Sequence, residues 1–243
     1  MKKLLWAECQ KLRRSNIVWI TVFATIMVAV IVFLGGQATY DGYRQIDNAG
    51  WYMTVAQPWA TFFVLPAVIA LLGSYMICRE EQEDTIKSLR LIPINEIKLT
   101  VAKMMVTFVF SILIYLLLFI ITFSVEAIIH FSALSAGMVF DLLKAYFLDG
   151  FGIFIAISPI IALVSRMKKG HWLALVFAEI YSFAGLFMSM SNVLKAFYPI
   201  TAAFTISGYY DASTSQVILS CISLLFCGVI AVAILKGLKH NKN

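Results

Sequence analysis

The sequence predicts an all-α integral membrane protein of six transmembrane helices, preceded by an amphipathic interfacial helix. Three observations carry this. Of 243 residues, 61% are hydrophobic and 13% charged, with a mean hydropathy of +0.89; soluble domains carry about 25% charged residues. Six apolar segments are each long enough to cross about 30 Å of hydrocarbon at 1.5 Å per residue. The cations alternate between the connecting segments as the positive-inside rule requires.

The first sixteen residues are too polar to span. Leu4, Leu5, Cys9 and Leu12 recur at helical spacing beside Trp6, among Lys2, Lys3, Lys11, Arg13 and Arg14. Such a helix lies in the headgroup region, where its cations meet anionic membrane lipids. A cleaved signal peptide is the competing reading. The following apolar run is long for one, and no small-residue cleavage site comes after it.

The spans fall at residues 17–34, 59–78, 104–124, 146–165, 172–190 and 217–235 of a single 1–243 domain. An even count puts both termini on one side. The segments 1–16, 79–103, 166–171 and the C-terminal tail hold sixteen of the nineteen Lys and Arg residues; Arg44, Lys144 and Lys195 sit in the other loops. Both termini are therefore expected in the cytoplasm. All five tryptophans (Trp6, Trp19, Trp51, Trp59 and Trp172) fall at or near span ends, where interface anchors concentrate. Pro66 and Pro159 interrupt the second and fourth spans and predict kinks there.

The outer loops differ in kind. Residues 35–58 read as a short connection with some local structure. Residues 125–145 read as a loop containing Glu126, His130 and Asp141. Residues 191–216 are apolar enough to dip back into the membrane as short helices broken by Pro199 and Gly208, provided that protein or water covers their backbone.

Residues 79–103 form the most charged run of the chain. Acids come first (Glu80, Glu81, Glu83, Asp84) and bases follow (Lys87, Arg90), an order that complements a helix dipole. Ile86 and Leu89 give this short helix an apolar side, and Pro93 stops it. The residues themselves allow a solvated loop or a docking element.

The pattern Glu83-x-Thr85, Leu89, Leu91, Pro93, with Lys98 and Lys103 opening the next span, resembles the cytoplasmic loop of ABC-2-type transporter permeases. Asp84 stands where that family usually has Gly, and Asn95-Glu96 where it has a basic residue. The opening Leu-Leu-Trp-Ala-Glu-x-x-Lys-Leu-Arg-Arg-Ser of residues 4–15 resembles permeases of the lantibiotic-immunity and bacitracin-type group. This resemblance implies a coupling helix in the 79–103 loop, with Glu83, Thr85, Ile86, Leu89, Leu91 and Pro93 docking on an ABC ATPase subunit. It further implies a second permease chain, identical or homologous, in the bacterial cytoplasmic membrane. Re-entrant outer helices between the last two spans belong to the same pattern. The substrate implied is a peptide antibiotic or similar amphiphile, expelled for self-immunity or resistance.

Other functions find no support. No basic block interleaved with aromatics exists for nucleic acid. No G-x-x-x-x-G-K-[ST] phosphate cradle occurs, so ATP and Mg would be bound by the partner subunit and no cofactor by this chain. No H-E-x-x-H pair or nucleophilic triad can be assembled; His130, His171 and His240 lie in different segments. Cys221 and Cys227 stand about 240° apart on a helix, and none of the four cysteines forms a C-x-x-C pair.

Two acids fall inside spans. Asp149, near the outer end of the fourth, is placed to reach the headgroups or to line a substrate route. Glu179, mid-way along the fifth, would cost at least about 2.5–3.5 kcal/mol as an unpaired charge. It marks either a polar point on a substrate route or subunit interface, or a structural hydrogen bond. Beside it Ala174, Ala178, Ser182 and Gly185 form a small-residue stripe suited to close helix packing. Two further readings are a non-transporting sensory or scaffold subunit of an antibiotic-response complex, and an ion-coupled carrier using Glu179. A carrier would commonly show internal repeats, and none is found.

Overall fold

A computed structural model describes residues 2–40, 42–82, 96–164 and 171–240. The elements are α1 (Lys2–Arg13), α2 (Asn16–Gly36), a hairpin of β1 (Thr39–Tyr40) and β2 (Tyr43–Arg44), α3 (Trp51–Phe63), α4 (Leu65–Gln82), α5 (Glu96–His130), α6 (Ala136–Val164), α7 (His171–Met188), α8 (Leu194–Phe197), α9 (Pro199–Ser207) and α10 (Thr214–His240). Short 3-10 turns cover Gln45–Asp47 and Phe131–Ala133.

The protein is an all-α membrane protein. Among the described residues, four helices are long and apolar enough to cross a membrane: Asn16–Gly36, Lys98–Ala133, Ala136–Val164 and Thr214–Gly237. The pair Trp51–Phe63 and Leu65–Arg79 makes a fifth candidate, bent by 48°. The shorter α7 is apolar as well.

Several elements differ from the sequence reading, each for a local reason. The second apolar segment begins at Trp51, eight residues earlier than expected, because the 35–58 connection is a hairpin and a 3-10 turn only as far as Asp47. Gly42 and Gly50 take φ of +86° and +82° in this stretch, a left-handed backbone that glycine adopts freely. The bend lies at Val64 (φ −142°, ψ −56°), not at Pro66. Pro66 instead occupies the first turn of α4, where its missing N–H is harmless. Pro159 sits inside an unbroken α6. The expected 125–145 loop shrinks to a few residues, since α5 continues to His130 and α6 starts at Ala136.

Residues 191–216 fold as two short helices, with Pro199 opening α9 and left-handed Gly208 closing it. The break between α8 and α9 frees carbonyls that water cannot reach in an apolar setting. Two hydroxyls on α10 meet them: Ser220 donates to the Ala196 carbonyl at 3.0 Å and Ser223 to that of Phe197 at 2.6 Å. Their spacing of three puts both on one helix face.

The core runs through the middle of the bundle, with Tyr52, Met53, Leu65, Ile69, Tyr115, Leu118, Tyr146, Ile153, Ile157 and Phe204 fully buried. Helices α5 and α6 pack antiparallel, Phe108 meeting Phe151 and Phe119 meeting Tyr146. Gly150 lets their backbones approach: a Cβ there would stand 2.8 Å from the Ile112 Cα.

At the end of the bundle where α1 lies, that helix turns Leu5, Glu8 and Leu12 inward onto Leu72, Met76 and Val106. Trp6 and Cys9 face outward. The expected apolar face, Leu4, Leu5, Cys9 and Leu12, is therefore rotated: the bundle takes the Leu5–Leu12 edge and leaves Cys9 exposed. Glu8 is buried because Lys11 caps it at 2.8 Å.

Candidate functional site

Among the described residues, two polar clusters and the carboxylate of Glu179 stand out within the largely apolar bundle. The deeper cluster joins α3 to α6. Gln57 and Asp149 are both fully buried, and the Gln57 amide donates to the Asp149 carboxylate. The Gln57 amide oxygen, Oε1, and the other carboxylate oxygen, Asp149 Oδ1, have no hydrogen-bond partner. Ser207, at the end of α9, adjoins the same carboxylate. One turn along α3, the Thr61 hydroxyl shares a 2.9 Å hydrogen bond with the Tyr115 hydroxyl of α5. Tyr146 donates to the Met53 carbonyl at 2.6 Å, and Ser111 donates to the Gly150 carbonyl at 2.8 Å. Four helices thus converge on one polar layer.

Burial decides what Asp149 can do. A carboxyl group sealed among apolar side chains loses its hydration and depends on hydrogen bonds for compensation. Asp149 does not reach the headgroups; its helix presents it to the interior. Gln57 escaped notice in the sequence because it precedes the expected span at Trp59. A helix extended back to Trp51 brings it into the bundle.

The second cluster lies at the hairpin end. Glu126 is buried on α5, and its Oε1 accepts from the Gly50 N–H at 2.6 Å and faces His130 Nδ1 at 2.9 Å. His130 Nε2 reaches the Asp47 carbonyl at 3.1 Å. Arg44 in turn pairs with Asp47 at 3.1 Å. Glu126 and His130 are four residues apart, one turn of a single helix. Read as part of a loop, they carried no such relation.

Glu179 is half-buried on α7, and its Oε2 is buried without a hydrogen-bond partner. The adjacent stripe is inward-facing throughout: Ala174, Ala178, Ser182 and Gly185 are all buried. A Cβ on Gly185 would lie 3.2 Å from the Phe62 ring and 3.3 Å from Ile200, so small residues here let α7 close against α3 and α9. The structure keeps Asp149 and Glu179 in separate environments, on α6 and α7. The docking residues Glu83, Thr85, Ile86, Leu89, Leu91 and Pro93 lie outside the described residues. No group of three or more His, Cys, Asp or Glu residues suited to a metal occurs among the described residues.

Comparison with known proteins adds a family. Residues 4–185 match the pattern of the ABC-2 family transporter protein. A curated relative, the bacitracin transport permease protein of Bacillus licheniformis, is 28% identical over 149 residues, covering 60% of this chain and 71% of the relative.

Proposed function

This chain belongs to the ABC-2 family of transporter proteins, and we propose that it is the membrane-spanning permease subunit of an ABC transporter that expels a peptide antibiotic of the bacitracin kind. The similarity to the bacitracin transport permease supports this choice of substrate class most directly. The absence from the sequence of a phosphate-binding loop fits a division of labour in which separate ATPase subunits bind ATP and Mg.

In this reading six crossings are made by α2, the bent α3–α4 pair, α5, α6, α7 and α10, and both termini face the bacterial cytoplasm. Two permease chains, identical or homologous, pair with two ATPase subunits. In this reading residues 83–93 carry the docking element, with Glu83, Thr85, Ile86, Leu89, Leu91 and Pro93 meeting the ATPase subunit. Closure of the ATPases on ATP pushes this element, which displaces α4 and α5. Work is done only if the ATPase contacts differ between the two arrangements of the membrane dimer. The half-buried Glu179 carboxylate supplies a polar point beside the α7 packing stripe, where an amphiphilic substrate can be met.

The test is affinity purification of the tagged chain from native membranes, with and without Leu89→Asp. An ATPase subunit retained by the wild type and lost by the variant establishes docking. If none accompanies either, the reading of this chain as an ATPase-coupled permease subunit is wrong.

A further inference from the structure

The layer where α3, α5, α6 and the end of α9 meet is short of hydrogen-bond donors. Its hydroxyl protons are already committed to other acceptors. Thr61 donates to the Gln57 carbonyl at 2.9 Å, which leaves the Thr61 oxygen to accept from Tyr115 at 2.9 Å. Tyr146 donates to the Met53 carbonyl, Ser111 to the Gly150 carbonyl, and Ser207 to the Phe204 carbonyl at 3.1 Å. A hydroxyl has one proton to give. Asp149 therefore receives a single donor, the Gln57 amide, and two acceptor oxygens, Gln57 Oε1 and Asp149 Oδ1, stay unmatched at zero exposure.

Among the described residues no cation compensates this carboxylate. The titratable groups that face it are phenols: Tyr115 on α5, Tyr146 on α6, and Tyr209 and Tyr210 just beyond α9. Lys195 is stacked over the Tyr210 ring, 5.2 Å from its centre, and forms no ion pair with Asp149. Helices α4, α7 and α10 also pack on α6, yet among the described residues none of their charged groups, Glu179 included, acts on Asp149. A fully buried carboxylate with one neutral donor is costly in an apolar interior unless a positive charge joins it. A water molecule could bridge the two oxygens, but it would leave the charge unbalanced. Carboxylate and amide oxygens suit a hard cation rather than a soft metal. One carboxylate balances one charge.

We propose that Gln57 and Asp149 form a binding site for a single positive charge, a proton or an alkali-metal ion, taken up at Asp149 Oδ1 with Gln57 Oε1 as its second oxygen. The site goes beyond the permease reading and stands without it. Because four elements meet there, the charge can leave only when water enters the layer. Its binding therefore favours the closed packing of α3, α5, α6 and α9 over any arrangement that wets Asp149.

The test follows the unfolding equilibrium of the detergent-solubilised full-length chain, wild type beside Asp149→Asn, in two series. One spans pH at constant ionic strength; the other, at fixed pH, replaces a bulky organic cation by sodium or potassium. Asp149→Asn brings its own donor for Gln57 Oε1 and no charge, so it is expected to fold and to lose the dependence. The folded wild type holds the charge, and the hydrated unfolded chain releases it. If the ligand is a proton, the wild-type unfolding constant rises, relative to the variant, about tenfold per pH unit over the range in which only the folded state holds the proton. If it is an alkali ion, that constant falls about tenfold for each tenfold rise in sodium or potassium once the site is filled. Parallel curves for the two proteins in both series would overturn the proposal. Should Asp149→Asn fail to fold, Gln57→Leu decides: loss of the amide is expected to move the wild-type dependence along the pH or salt axis, and an unmoved dependence overturns the proposal.

Discussion

Gln57 on α3 and Asp149 on α6 are 92 residues apart in sequence and hydrogen-bonded to each other at zero exposure. They bolt the bent second segment of the bundle to its most buried long helix. Removing one partner leaves the other without its donor or acceptor in an apolar interior, which costs about 1–3 kcal/mol, and more when the group carries charge. Gln57→Leu and Asp149→Leu should therefore each lower the thermal unfolding temperature of the detergent-solubilised protein. The double variant should lose less than the sum of the two, because the second substitution removes the group that the first left stranded. Strict additivity would show that the pair is not coupled.

The Glu126 carboxylate gathers the Gly50 N–H and His130 onto one oxygen. Glu126→Ala should release the start of α3 and cost about 1–3 kcal/mol. Glu126→Gln, which keeps a carbonyl oxygen able to accept from Gly50, should cost less. Hydrogen exchange at the amides of residues 45–54 is the direct readout: faster exchange in the alanine variant, and little change in the glutamine one.

Gly150→Ala tests the close approach of α5 and α6. Its Cβ would meet backbone, the Ile112 Cα at 2.8 Å, and overpacking of this kind costs about 1–3 kcal/mol. Gly137 on the same helix has nothing within 4 Å of a would-be Cβ. Gly137→Ala should leave stability unchanged or raise it by the alanine helix preference, up to about 1 kcal/mol. Equal unfolding temperatures for the two variants would contradict the packing.

Glu179 offers a sharper functional test than Asp149, since its Oε2 has no hydrogen-bond partner to lose. Glu179→Gln should fold with wild-type stability and reduce bacitracin protection in cells. Transport and folding both unchanged would remove Glu179 from the substrate route.

On the small-residue stripe, Gly185→Val would drive a branched side chain at Phe62 and Ile200, already 3.2 and 3.3 Å from a would-be Cβ. A loss of about 1–3 kcal/mol is expected from overpacking. Val176→Ala, at an exposed position of the same helix, provides the neutral comparison by the same unfolding assay.

The sequence by itself determined the class. An apolar composition and long apolar runs admit only a helical bundle in lipid, because every backbone group must then be satisfied within its own segment. Breaks at Pro199 and Gly208 were legible for the same kind of reason, since proline lacks an N–H and glycine alone takes a left-handed φ freely. The family was legible too, in the run from Glu83 to Pro93 and in the opening residues 4–15. What needed the tertiary structure was pairing. Gln57 looked like a loop residue until α3 was seen to start at Trp51. Glu126 and His130 looked unrelated until α5 was seen to run to His130. The inward edge of α1 was chosen by Leu72, Met76 and Val106, not by the helix's own periodicity. Hydropathy reports how oily a segment is, but a polar side chain inside a bundle is positioned by a partner many residues away. Only the packing of one helix on another decides which partner that is.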